Sequence, residues 1–121
     1  MVDVILVGIG GFAGTVARYL IGLIPMQSES VFPWKTFLIN VSGAFLIGLI
    51  CAAAAKDETV NRHLVLMLKV GLCGGFTTFS SFALENANLM KDGMAWVSVL
   101  YICLSIFLGV AAVFGAEMII R

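Results

Sequence analysis

The stretch Gly71-Leu72-Cys73-Gly74-Gly75-Phe76-Thr77-Thr78-Phe79-Ser80-Ser81-Phe82 decides how this chain folds. It sets two adjacent glycines and four hydroxyl side chains in the middle of an apolar run from about Leu64 to Met90, whose only charges are Lys69 and Glu85. The run is 27 residues long, and as one continuous helix it would measure about 40 Å against a hydrocarbon core of roughly 30 Å. A break near 74–78 resolves the mismatch and gives the glycines a purpose. Backbone groups freed by such a break must be buried in protein or line a cavity, because lipid offers them no hydrogen bonds. Broken helices at mid-membrane are also where transporters build ion sites. A kinked, purely structural helix is the other reading of the same residues.

Outward from that run, three more segments are long and apolar enough to span: Val4 to Ile24, interrupted only by Arg18; Thr36 to Ala55; and Ala95 to Ala116, the last two without charge. Four spans use most of the 121 residues. What is left is a turn from Pro25 to Trp34, a polar loop from Lys56 to His63, a tight turn from Lys91 to Gly93 and a short tail, too little for a soluble domain. The expected architecture is an all-α membrane protein, residues 1–121 forming one four-helix domain. The first span opens on Asp3 rather than a basic region and runs too long for a signal peptide, so it is expected to remain in the mature protein. Trp34 and Trp96 fall near span ends, where amphipathic rings favour the interface.

Composition agrees. The chain is 61% hydrophobic and 12% charged, against roughly 45–50% and about 25% for soluble domains. A soluble ball of this size could not hide so much apolar surface. Soluble enzymes and disordered chains are excluded, and a net charge of +0 leaves nothing to steer nucleic acid. Cys51, Cys73 and Cys103 lie in apolar stretches at no metal-ligand spacing and read as buried packing residues. An even number of spans places both termini on one side. That side holds Lys56, Arg62 and Arg121 and the other Lys35 and Lys91, a bias too weak to fix orientation, so insertion both ways round is open. Two oppositely inserted copies could then build a pathway that four helices alone wall too thinly.

Gly10 and Gly14, and Gly71 and Gly75, are each four apart, the spacing that lets helix backbones approach closely. Gly43 and Gly48 sit in the second span. Gly8 to Ala13 fits G-x-G-x-x-A, but inside a hydrophobic helix with no preceding strand it is not a dinucleotide site.

Polar residues in lipid need partners or a purpose. Thr36 and Asn40 share a helix face at i,i+4, fitting either interhelical hydrogen bonds or a polar pathway. Phe79 and Phe82 share another, either as core packing or as rings whose electropositive edges meet an anion, with Ser80 and Ser81 adding hydroxyl donors. Tyr101 and Ser105 form a further polar stripe, with Ser98 nearby. Arg18 either snorkels to the interface or pairs with Glu85. Lys69 reads as a snorkelling anchor and His63 as a solvated loop residue.

The string from Gly71 to Phe82 resembles the signature of the Fluc (CrcB) fluoride channel family, with Ser81 a departure from the usual threonine that keeps the hydroxyl. Two further pieces agree: Gly10-Gly11-Phe12-Ala13-Gly14 with Ala17-Arg18-Tyr19, and Asn40-Val41-Ser42-Gly43-Ala44-Phe45-Leu46-Ile47-Gly48. The resemblance covers the whole chain. It implies an antiparallel, dual-topology homodimer in the bacterial inner membrane that exports fluoride passively through two pores. It implies a structural sodium ion at the dimer centre, held by backbone carbonyls that map to Gly74 and Thr77. By the same resemblance Asn40, Phe79 and Phe82 map to the pore, Thr36, Ser81, Tyr101 and Ser105 to a polar track beside it, and Glu85 to a glutamate near it. The competing class is a small multidrug-type proton-coupled exporter, which needs a carboxylate in the first span, where this chain has Arg18 and none after Asp3.

Overall fold

A computed structural model describes residues 1–26 and 31–121. Among them the only regular structure is helical, and four stretches are long and apolar enough to cross a membrane. Helix α1 is Val2–Leu23 and α2 is Trp34–Lys56. The third stretch, Arg62–Lys91, is discontinuous. It starts as Arg62–Leu66, widens into a π-helical segment Met67–Cys73, and closes with the turn Gly74–Phe76; these pieces form α3 (62–76). Thr77 and Thr78 are extended, and the chain resumes as α4, Phe79–Lys91. After a turn at Gly93, whose φ is 78°, α5 runs Ala95–Ile120. Thus the break lies within the expected region, whereas the π-helical segment before it was not foreseen. Part of the expected turn from Pro25 to Trp34 lies outside the described residues.

Both termini and the α2–α3 loop share one end. His63 Nδ1 meets Asp3 Oδ1 at 2.6 Å, which corrects the reading of His63 as merely solvated, and Lys56 Nζ donates to the Ile120 carbonyl at 2.9 Å. At the opposite end Lys35 Nζ donates to the Gly22 carbonyl at 2.7 Å. These cations sit at helix C-termini, where unsatisfied carbonyls carry partial negative charge.

The helices pack as two pairs, α1 with α3 and α2 with α5. Glycines join the first pair from both sides. A Cβ on Gly10 would meet the Met67 carbonyl, and one on Gly14 the Leu72 carbonyl. Reciprocally, a Cβ on Gly71 would stand 2.6 Å from the Val7 carbonyl and one on Gly75 2.6 Å from the Gly11 carbonyl. The small-residue spacing therefore marks one interlocked backbone contact. Gly48 brings α2 against Ala116 and Val113 of α5, and Gly43 makes room for the Thr77 methyl at the break. Phe37, Leu89, Val97 and Tyr101 form the small core, packed with Phe32 and Phe82. Most other large apolar side chains face outward, as they must where the solvent is hydrocarbon. Of the cysteines, all free, Cys73 alone is buried; Cys51 is half-buried and Cys103 exposed, so apolar context overstated their burial.

Gly14→Val is expected to lower the thermal midpoint of the purified protein clearly, since overpacking a tight contact costs about 1–3 kcal/mol. Gly22→Val, where an added Cβ meets nothing within 4 Å, should leave it nearly unchanged. Equal midpoints for the two variants would contradict the α1–α3 contact.

Candidate functional site

The site begins with the backbone that the break releases. The Thr78 N–H donates to Asn40 Oδ1 at 2.8 Å, and Asn40 Nδ2 donates back to the Thr78 carbonyl at 3.1 Å. One side chain of α2 thus serves both polar groups of the peptide residue that left the helix. The Thr78 hydroxyl accepts the Ser81 N–H at 3.2 Å as the N-cap of α4 and lies 3.3 Å from Ser80 Oγ. The Cys73 carbonyl accepts both the N–H of Thr77, at 3.0 Å, and its hydroxyl, at 2.9 Å. Arg18 Nε donates to the Gly75 carbonyl at 3.2 Å, with Thr15 Oγ1 at 3.5 Å from the same oxygen.

Arg18 therefore does not pair with Glu85. Glu85 accepts from two neutral hydroxyls: Thr36 Oγ1 at 2.7 Å and Tyr101 OH at 2.8 Å. Thr36 and Asn40 share a face of α2 but serve different partners, one the carboxylate and the other the break. Asn86 Nδ2 donates to the Phe82 carbonyl at 2.9 Å and its Oδ1 accepts from buried Ser98 Oγ at 2.8 Å, fixing α4 against α5. The rings follow on: Phe79 and Phe82 have centroids 5.8 Å apart, and Phe82 meets Tyr101 edge-on at 4.9 Å.

Two cavities flank the break. The larger, about 630 Å³, is lined by Asn40, Phe79, Phe82, Ser105, Gly74 and Thr77 among others. The smaller, about 370 Å³, takes in Thr36, Ser81, Glu85, Arg18 and Lys35. Thr78 lines both. The expected site residues are thus divided between two compartments separated by the extended segment, and Tyr101, fully buried, lines neither. In the larger cavity the Ser105 hydroxyl is buried without a hydrogen-bond partner. Phe79 is 79% exposed, so its ring is not core packing in a single chain.

A model of the CrcB family, described as CrcB-like protein, Camphor Resistance, matches residues 5–116. The chain belongs to the CrcB family. A relative named fluoride-specific ion channel FluC, from Chlorobaculum tepidum, is 43% identical over 121 residues, covering 100% of this chain and 96% of its own. One of the same name from Chlorobium luteolum is 45% identical over 112 residues, covering 93% and 87%, and one from Flavobacterium psychrophilum is 38% identical over 122 residues, covering 100% and 98%. These CrcB relatives are named as channels rather than enzymes. Among the described residues no group of three or more His, Cys, Asp or Glu side chains could hold a metal ion.

The sequence reading passed over two residues that matter here. Thr78 is the hub of the break, and the Thr78-x-x-Ser81 spacing of an N-cap was available to find it. Asn86 follows Phe82 by one helical turn, a spacing that suits its bond to that carbonyl. Lys69, read as a snorkelling anchor, is exposed and borders the larger cavity.

Asn40→Leu removes the partner of both Thr78 groups, at about 1–3 kcal/mol for each buried group left unsatisfied. Amide hydrogen exchange at Thr78 should accelerate in that variant by more than tenfold relative to the natural protein. Unchanged protection would show that the break is held by other means.

Proposed function

We propose that this chain forms a fluoride-selective passive channel, an antiparallel dual-topology homodimer of the bacterial inner membrane with two pores. It would release fluoride from the cytoplasm and so protect against its toxicity. The observation that carries the reading is the helix break clamped by Asn40 and bordered by a cavity of neutral donors and ring edges; the names of the CrcB relatives supply the ion.

The chemistry suits that ion. Fluoride is small and holds its water tightly, so a pathway must offer fixed hydrogen donors as each water leaves. Asn40 has a second amide N–H beyond the one given to Thr78, and Ser105 has an uncommitted hydroxyl. Ser81, on the far side of the break, adds another hydroxyl, while Thr36 and Tyr101 direct theirs to Glu85. The positive edges of Phe79 and Phe82 attract an anion weakly and without a full charge. Several weak sites favour conduction where one strong site would trap the ion.

A central sodium ion is consistent with the backbone at the break. The N–H groups that a continuous helix would give to the Gly74 and Thr77 carbonyls belong to Thr78 and Ser81, and these are committed to Asn40 and to the Thr78 hydroxyl. The two carbonyls therefore retain acceptor capacity suited to a hard cation. One chain supplies too few oxygens to enclose such an ion, so a second copy facing it across a two-fold axis would complete the shell. A structural sodium there would offset the exposed carbonyl dipoles. The multidrug-type exporter has no support, since among the cavity-lining residues the only carboxylate is Glu85, in the third membrane-spanning stretch, and α1 contributes Arg18.

In liposomes loaded with fluoride, the reconstituted protein should discharge the ion rapidly once a potassium shunt is added, with no proton gradient. Efflux that requires a proton gradient would favour a coupled carrier. Phe79→Ile and Phe82→Ile should each lower the flux at least tenfold while the dimer persists on size exclusion; full flux in both would remove the rings from the pathway. Preparation in lithium or potassium instead of sodium should weaken assembly or activity, and indifference would count against the central ion.

A further inference from the structure

Helix α4 carries Phe79 and Phe82, yet the helix before it does not steer it. Thr77 and Thr78 are extended, and the Thr78 N–H goes to Asn40, so the hydrogen-bond ladder of α3 is interrupted there. The rotation of α4 about its own axis must then be set by its neighbours. Apolar contact does this loosely. Leu89 and Val97 belong to the small core between α4 and α5, but dispersion between helices has little direction in lipid. On a helix about 10–12 Å wide, a rotation of about 20° carries a side-chain tip about 2 Å sideways.

Two buried polar residues that line neither cavity supply the missing direction. Asn86 is 6% exposed and Ser98 0% within one chain, so their contacts do not wait on a second copy. The Phe82 carbonyl can only accept, which places Asn86 Nδ2 against it at 2.9 Å and turns Oδ1 toward Ser98. The Ser98 hydroxyl therefore donates to that oxygen, at 2.8 Å. Three residues along the same face of α5, Tyr101 donates to Glu85 at 2.8 Å. Glu85 and Asn86 are neighbours in sequence, about 100° apart around α4. One face of α5 thus grips α4 at two azimuths, and two such grips resist a rotation for which one would be a pivot. Phe82 lies four residues before Asn86 on the same side of α4 and is bonded to it through its own carbonyl, so its ring follows where Asn86 is held. The Phe82 ring then meets Tyr101 edge-on at 4.9 Å.

We propose that Asn86 and Ser98 are positioning residues for conduction: they touch no ion, and they fix the rotation of α4 so that the Phe82 ring, and Phe79 with it, stands in the pathway. The proposal rests on the channel reading and extends it to a pair outside the pathway. A buried pair kept for stability can be replaced by two apolar side chains of similar shape at little loss, because no group is then left unsatisfied. A pair kept for position cannot, since apolar replacements hold two helices together without setting their rotation.

The test is Asn86→Leu combined with Ser98→Ala in the full chain, purified and reconstituted in liposomes. The thermal midpoint should stay near that of the natural protein, while initial fluoride efflux per reconstituted chain falls about threefold or more, as expected when pore-lining groups are displaced. Fluorophenylalanine incorporated at Phe82 reports the ring directly, and its fluorine NMR line should shift or broaden in the double variant. Ser98→Ala alone changes the least volume and stands in should the double variant fail to reconstitute; the same efflux and line changes are expected of it, with a lower midpoint because Asn86 Oδ1 loses its donor. Natural efflux in the double variant overturns the proposal and marks the pair as structural. Lowered efflux with an unmoved fluorine line also overturns it, because the loss would not run through the ring. Both of those results leave the channel reading intact, whereas natural protein without any fluoride efflux defeats that reading and this proposal together, so the failures are distinguishable.

Discussion

A peptide group that leaves a helix inside hydrocarbon has no water to bond, and the structure is organised around meeting that constraint. The interaction that does so is the paired hydrogen bond between Asn40 and the backbone of Thr78, 2.8 Å in one direction and 3.1 Å in the other. An amide side chain is suited to this because it carries an acceptor and a donor side by side, matching the two groups of one residue. With those groups satisfied, Thr77 and Thr78 can stay extended, α4 can begin anew at Phe79, and the third membrane-spanning stretch can bend without leaving an unpaired polar group at Thr78.

The other contacts hold that interruption in place. The mutual glycine contacts of α1 and α3 bring the two backbones close enough for Arg18 and Thr15 to reach the Gly75 carbonyl. Gly43 admits the Thr77 methyl beside Asn40. On the other flank, the Thr36–Glu85–Tyr101 bonds and the Ser98–Asn86–Phe82 bonds fix α4 between α2 and α5. The chain spends its few polar side chains on orienting each other and the backbone, which is how polar groups persist in a membrane protein. Its small core and outward apolar surface are what lipid solvent permits.

The division of the site by the extended segment gives the break a second consequence. Thr78, one of the two threonines at the break, borders both a larger cavity with neutral donors and one cation and a smaller cavity with two cations and a hydrogen-bonded carboxylate. Phe79, Phe82 and Ser105 line the first, and Ser81 lines the second.

The sequence by itself determined the spans, because 20-residue apolar runs have no other stable solution in lipid. It located the interruption, because two glycines and four hydroxyls cannot stand unpartnered in the middle of one. It also marked the close helix contacts through glycine spacing. Only the tertiary structure decided who partners whom. Arg18 could be drawn toward Glu85 on charge alone, yet the Gly75 carbonyl lies within its reach and Glu85 is already bonded to two hydroxyls. The π-helical widening of Met67–Cys73, which packs against α1, leaves no periodic mark in the residues. Hydropathy and spacing record how far along a helix a side chain lies, whereas its partner depends on the rotation and approach of neighbouring helices.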